Sequence, residues 1–215
     1  MLEAVILIHG LGRTQWSLKR LEKRLQQLGY VTYNESYPST KQTVDKSANN
    51  YISKALETLE AEKFDKVHFV THSLGGILVR YYLSNHKIAN LGRVLMLAPP
   101  NHGSEIADTF KDKWWYKMAT GPSGQQLTES SPLYSQLKPL QTEIGVIIGN
   151  RSSDPWFNFL FDGEHDGKVS VKSAKLEEQH QLQVVNCGHT LLMENRLVSD
   201  AIIKFLQTGE LKKAS

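Results

Sequence analysis

The chain of 215 residues holds one cysteine, Cys187, so an internal disulfide and a cysteine-rich metal site are both excluded. Cys187 closes an apolar strand pattern and is expected to be a small buried hydrophobe. No apolar run approaches the ~20 residues that a membrane-spanning helix requires. No secretory signal is expected either. Met1 to Ile8 is short, carries Glu3 and lacks both a basic leader and a cleavage site, so a cytoplasmic location is expected. Lysine and arginine are scattered without a basic block and the formal net charge is +3, which argues against a nucleic-acid partner. There is no dedicated run of oxygen ligands, and no metal is expected. Repeats and linkers are lacking as well. Residues 1–215 should therefore form a single domain, with 40% hydrophobic and 22% charged residues, as in an ordinary globular chain.

What is present is an alternation of strands and helices. Glu3-Ala4-Val5-Ile6-Leu7-Ile8 is a continuous apolar run of strand length, as in a parallel sheet covered on both faces. Leu18, Leu21, Leu25 and Leu28 recur at helical spacing, with Thr14 or Ser17 as the expected cap and Gly29 as the stop. Tyr30 to Tyr33 reads as a short strand, and Val44, Ala48, Tyr51, Ala55 and Leu59 mark a second amphipathic helix. Further strands are expected at 66–71, 92–98, 144–149 and 182–187, and a helix from the elbow to Ser84. One helix is expected near 104–118 within the irregular stretch 101–142. The stretch 150–168 reads as a loop, and the last helix is expected to open at His189. Such an alternation gives a parallel sheet whose strand-to-helix loops collect on one edge, where sites in open α/β sheets gather.

The chain is organised around Val67-His68-Phe69-Val70-Thr71-His72-Ser73-Leu74-Gly75-Gly76. A strand runs into Ser73, and a helical pattern with Ile77, Leu78, Tyr81 and Tyr82 follows at once. A serine at such an apex lifts its hydroxyl above the sheet edge, and small neighbours let strand and helix approach. The bland alternative is a turn or helix-capping serine. The stretch resembles the nucleophile elbow of α/β-hydrolases, with Thr71 where the G-x-S-x-G pattern has its first glycine. Thr-His-Ser-Leu-Gly-Gly is similar to the version in bacterial lipases and esterases. The resemblance implies an α/β-hydrolase fold of about six mostly parallel strands, with helices on both faces. It lacks the first two strands of the full fold and has little or no cap. Residues 104–135 are the one stretch that could form a lid, with Gly121, Pro122 and Gly124 as hinges.

The same resemblance assigns the partners of Ser73. His189, in Asn186-Cys187-Gly188-His189-Thr190, stands where the family places its base. An imidazole there would take the serine proton and return it to the leaving group. Asp166, in Asp166-Gly167-Lys168-Val169, matches the family's acid, which fixes the histidine tautomer. Asp-Gly is also a plain turn signal, and Asp154, Asp162 and Glu164 are rivals. The oxyanion donors would be the backbone N–H groups of Leu11 and Leu74, with His9, Gly10, His72 and Gly75 as the supporting loops. Gly10-Leu11-Gly12 does not read as a dinucleotide loop, because Gln15 stands in place of the third glycine. Ala98-Pro99-Pro100-Asn101-His102-Gly103-Ser104-Glu105-Ile106-Ala107-Asp108 is similar to a Pro-His-x-Gly-Ser-x-x-Ala-Asp segment of the bacterial lipases. It supports the site edge, with His102 as an ordinary loop histidine.

The expected function is a serine hydrolase of carboxylic esters that works through a Ser-His-Asp triad and an acyl-enzyme, with no cofactor. A thioesterase, an amidase or an acyltransferase would use the same residues. A non-catalytic binding protein on this fold is the alternative of a different class. The expected substrate is a small ester with an apolar acyl group. Trp16, Trp114-Trp115-Tyr116 and Trp156-Phe157-Asn158-Phe159-Leu160-Phe161 could line its pocket, touch a lipid surface transiently, or merely pack. Acyl length, alcohol, oligomeric state and biological role are not encoded in these motifs.

Overall fold

Strand β1 (Glu3–Ile8) is buried from Ala4 onward, as its unbroken apolar run requires. The computed structural model describes residues 1–152, 155–178 and 181–211. Around β1 it arranges β2 (Val31–Tyr33), β3 (Lys66–His72), β4 (Leu91–Leu97), β5 (Ile144–Gly149) and β6 (Gln181–Val185). The sheet order is β2-β1-β3-β4-β5-β6, and every pairing is parallel. The chain first steps from β1 to β2, then crosses back to place β3 on the other side of β1. That reversal makes the carboxyl ends of β1 and β3 a topological switch point, where open α/β sheets bind ligands.

Helices cover both faces. Helix α1 (Lys19–Gln27) and helix α8 (Arg196–Thr208) share one face, joined by Arg24 and Asp200 at 2.5 Å. Helix α2 (Val44–Leu59) packs along helix α3 (Leu74–Asn85) on the other. Gly75 lets α3 seat closely, since a Cβ there would lie 2.5 Å from the Ile8 carbonyl oxygen. Leu18, Leu21 and Leu25 are buried as their spacing predicts, and each contributes about 1.5–3 kcal/mol of apolar burial.

Several boundaries differ from the expectation. Neither Thr14 nor Ser17 caps α1. A 3₁₀ turn over Gln15–Leu18 leads into it, and the Ser17 hydroxyl donates back to the Thr14 carbonyl. The stretch 101–142 carries three helices rather than one: α4 (Glu105–Phe110), α5 (Trp114–Gln125) and α6 (Pro132–Ser135). Gly121 (φ 61°, ψ −161°) kinks α5 just before Pro122 and packs on the Thr40 carbonyl, so this stretch is pinned at its bend. The 150–168 loop contains a 3₁₀ run over Pro155–Leu160, and α7 (Val171–Ala174) follows it. β6 stops at Val185, so Cys187 lies beyond the strand, though buried. The last helix opens at Arg196, not at His189, because the Asn195 side chain caps it by accepting from the Leu197 and Val198 amides.

Candidate active site

Ser73 sits at the turn between β3 and α3 with φ 50° and ψ −121°, a left-handed conformation rare for a residue with a Cβ. Thr71 has therefore not flattened the elbow. The sheet holds the turn in place, because the Ser73 amide donates to the Leu97 carbonyl at 2.8 Å, extending the β3–β4 ladder by one bond. As the first residue of α3, Leu74 has an N–H that no helical carbonyl can reach. Gly10 faces the elbow closely. A Cβ on it would lie 2.8 Å from His72 Nδ1 and 3.1 Å from Ser73 Cβ.

The loop after β1 is fixed from beneath. His9 is buried and stacks on Tyr37 at 4.2 Å. Its Nδ1 donates to the Gly10 carbonyl and its Nε2 accepts from the Tyr37 amide, which sets the tautomer. The Tyr37 hydroxyl donates to the His9 carbonyl. Burial pushes the His9 imidazole below its ordinary pKa, so it stays neutral. Beyond it, the Arg13 amide donates to Gly10 and the Gly12 amide donates to the Ser39 hydroxyl. The turn thus holds Leu11 at the edge of the cleft that Ser73 lines.

Asp166 and His189 meet across 23 residues of chain. His189 Nδ1 donates to Asp166 Oδ2 at 2.7 Å, and both side chains are buried. The Asp-Gly-x-Val pattern has a mechanical reason. Gly167 turns at φ 99°, and the amides of Lys168 and Val169 both donate to Asp166 Oδ1 at 3.0 and 2.9 Å. One carboxylate oxygen is thereby held by the turn while the other faces the imidazole. The His189 amide also donates to the Asp166 carbonyl at 2.9 Å, so backbone and side chain fix the pair together. Among the rivals, Glu164 accepts from Asn150, Asp162 is exposed, and Asp154 lies outside the described residues.

His72 contributes a link that its sequence position does not announce. It is buried, and its Nε2 donates to the His189 backbone carbonyl at 3.1 Å. Burial pushes its pKa well below the ordinary value, and the neighbouring His189 adds to that. In the Ala98–Asp108 segment, Asn101 is buried, donates to Ala174 and accepts from Arg80, while His102 rests on the Ser173 carbonyl, and Pro100 and Ile106 face the cleft.

Ser73 and His189 line one cleft of about 310 Å³, together with Leu11 and His72. Its walls are largely apolar: Pro100, Ile106, Trp115, Tyr116, Leu127, Phe157 and Val169. The aromatic runs split between two roles. Trp115 and Phe157 line the cleft and both pack on Phe110, Trp115 with part of its ring still in solvent, whereas Trp16, Trp114, Trp156 and Phe159 are more fully exposed. Among the described residues, no group of three or more His, Cys, Asp and Glu side chains gathers to hold a metal ion. No described helix is long and apolar enough to cross a membrane.

Comparison with known proteins agrees with this architecture. Residues 2–112 match the model of a family described as "Putative serine esterase (DUF676)". No curated protein matches the chain. Among solved structures, the fold is similar to the Bacillus licheniformis lipase BlEst2 in its mature form. The TM-score is 0.75 and the identity 20%, covering 94% of this chain and 91% of that one. An esterase from Exiguobacterium antarcticum, EaEST, matches with TM-score 0.68 and 15% identity over 96% of this chain and 92% of its own. The phospholipase PlaB from Legionella pneumophila matches with TM-score 0.65 and 22% identity, over 80% of this chain and 45% of its own. These likenesses establish the α/β-hydrolase fold, which here has six parallel strands.

Proposed function

The chain belongs to this serine esterase family and is a carboxylic ester hydrolase, and on that premise we propose that it acts through Ser73, His189 and Asp166. The observation that carries the proposal is the 2.7 Å bond from His189 Nδ1 to Asp166 Oδ2, beside the cleft that Ser73 lines. With Nδ1 committed as donor, Nε2 is left to accept the Ser73 proton. Ser73 Oγ then bonds to the ester carbonyl carbon. The developing oxyanion is met by the N–H groups of Leu11 and Leu74. Collapse of the intermediate breaks the bond to the alcohol, which leaves with the proton from His189 Nε2. Water repeats the cycle on the acyl-enzyme and frees the acid. The apolar walls suit a hydrophobic acyl or alcohol group.

The test is labelling with a fluorophosphonate probe, located by peptide mass spectrometry, in the wild type and Ser73→Ala. Hydrolysis of p-nitrophenyl esters from acetate to palmitate, with thioester and anilide analogues, runs beside it. Label on Ser73, lost together with turnover in S73A, is the expected result. Folded wild type that neither labels nor turns over any analogue would overturn the mechanism and favour a binding protein.

A further inference from the structure

Helix α5 carries large apolar side chains on its outward face. Each residue turns the helix by about 100°. Tyr116 and Thr120 therefore share the inner face, where Tyr116 is buried. Trp114 and Met118, one turn apart, lie opposite them and are 73% and 74% exposed. Trp115 and Ala119 come next around the helix and line the candidate cleft, with Trp115 partly in solvent. On the other flank of the Trp114–Met118 pair stand Lys113 and Lys117, both exposed. The Lys117 amide donates to the Lys113 carbonyl at 3.0 Å, so this first turn is regular. An apolar strip thus runs from solvent into the cleft, and a lysine pair follows its outer edge.

The strip is held in place by its neighbours. The Phe110 ring of α4 packs on Trp115 at 5.2 Å and on Phe157 at 5.9 Å, so α4, α5 and the 3₁₀ run over Pro155–Leu160 share one aromatic seam. Beyond the bend at Gly121, the Ser123 hydroxyl donates to the Gln42 carbonyl, and the Gln126 side chain accepts from the Val44 amide, both at 2.7 Å. A contiguous apolar face that is anchored and yet open to solvent marks an interaction surface.

Its chemistry points to one kind of partner. Residues 111–117 hold Lys111, Lys113 and Lys117 against the single acid Asp112. Tryptophan favours the boundary between water and hydrocarbon, and lysine can lay its stem along that boundary while its ammonium stays in water. A helix with tryptophan on one face and lysine beside it suits the surface of an anionic bilayer. The net charge of +3 acts in the same direction. We propose that Trp114 and Met118, flanked by Lys113 and Lys117, dock this protein on a lipid surface with anionic phosphate headgroups and so bring the cleft mouth to it. This goes beyond the ester-hydrolase reading, because adsorption needs no chemistry at Ser73.

The experiment uses the full chain as Ser73→Ala, so that lipid is not consumed. Vesicles are phosphatidylcholine alone or an equal mixture with phosphatidylglycerol. Cosedimentation measures binding, and quenching of tryptophan fluorescence by brominated acyl chains reports contact. The expected result is binding to the mixed vesicles, weakened by salt and weaker on phosphatidylcholine alone. Adding Lys113→Gln/Lys117→Gln should weaken binding to the mixed vesicles about 30-fold. Adding Trp114→Ser/Met118→Ser should weaken it at least about tenfold and reduce the quenching. With Ser73 restored, both pairs should hydrolyse p-nitrophenyl acetate like the wild type, since neither lines the cleft. Circular dichroism checks their fold independently. No binding to the mixed vesicles, or binding that neither pair alters, would overturn the proposal. So would a dimer in ultracentrifugation that Trp114→Ser/Met118→Ser dissolves while vesicles stay unbound, which would give the strip to a second copy. A failure of the hydrolase reading looks different: p-nitrophenyl acetate would not turn over and Ser73 would not label, yet the vesicles would still be bound.

Discussion

His72 Nε2 donates to the backbone carbonyl of His189 at 3.1 Å, joining the residue before the candidate nucleophile to the main chain of the candidate base. The bond crosses 117 residues of sequence and ties the end of β3 to the segment that carries His189. Replacing His72 with Phe keeps bulk and removes the donor. We expect kcat to fall by roughly 10- to 100-fold with KM little changed, because a small misplacement of a catalytic group costs about that much. His72→Gln, which restores a donor, should recover part of the loss. Steady-state kinetics on one ester decides this, and equal losses in both variants would reduce His72 to a packing residue.

Asp166 should matter through orientation and charge together. Asp166→Asn keeps the shape but can present a donor to His189 Nδ1, which favours the wrong tautomer. We expect kcat to drop about 10⁴-fold while the fold survives. Circular dichroism and ester turnover on the same sample check both halves. A loss under tenfold would hand the role to a different carboxylate.

Thr71 is buried, and its hydroxyl finds no hydrogen-bond partner among the described residues. An unsatisfied buried polar group is costly, whereas an isosteric apolar one is not. Thr71→Val should therefore stabilise the protein by about 1 kcal/mol in urea denaturation. A lower midpoint would mean that the hydroxyl is satisfied in solution.

Buried histidines give the protein an acid-side weakness. Burial lowers the pKa of both His9 and His72 below the ordinary 6.5. The unfolded chain therefore binds protons there that the folded state refuses. Stability should be level above pH 6.5 and fall as pH drops below it, by up to about 1.4 kcal/mol per histidine per pH unit. Urea titrations at pH 7.5 and 5.5 measure this, and an unchanged midpoint would show that both rings protonate in place.

Much of this protein follows from its sequence. The run Ala4–Ile8, the leucine spacing of α1 and the strand–Ser73–helix succession are local patterns, and local hydrogen bonding and burial realise them where the periodicity says. Boundaries slipped where a cap competed with periodicity. Asn195 fixed the start of α8, and an irregular stretch folded into three helices, of which α4 and α5 turn apolar residues such as Ile106 and Tyr116 to the cleft.

What the sequence could not decide is which distant groups meet. Asp166, Asp162 and Glu164 are chemically alike and stand close together in the chain. Only the turn at Gly167, which ties up Oδ1, aims Asp166 at His189. Tertiary packing likewise put Trp115 and Phe157 at the cleft, Trp115 still partly exposed, while leaving their neighbours Trp114 and Trp156 largely in solvent. It also brought His72 to the carbonyl of His189. Local periodicity is written in windows of a few turns, but side-chain encounters across the sheet depend on strand order and loop packing, which no window contains.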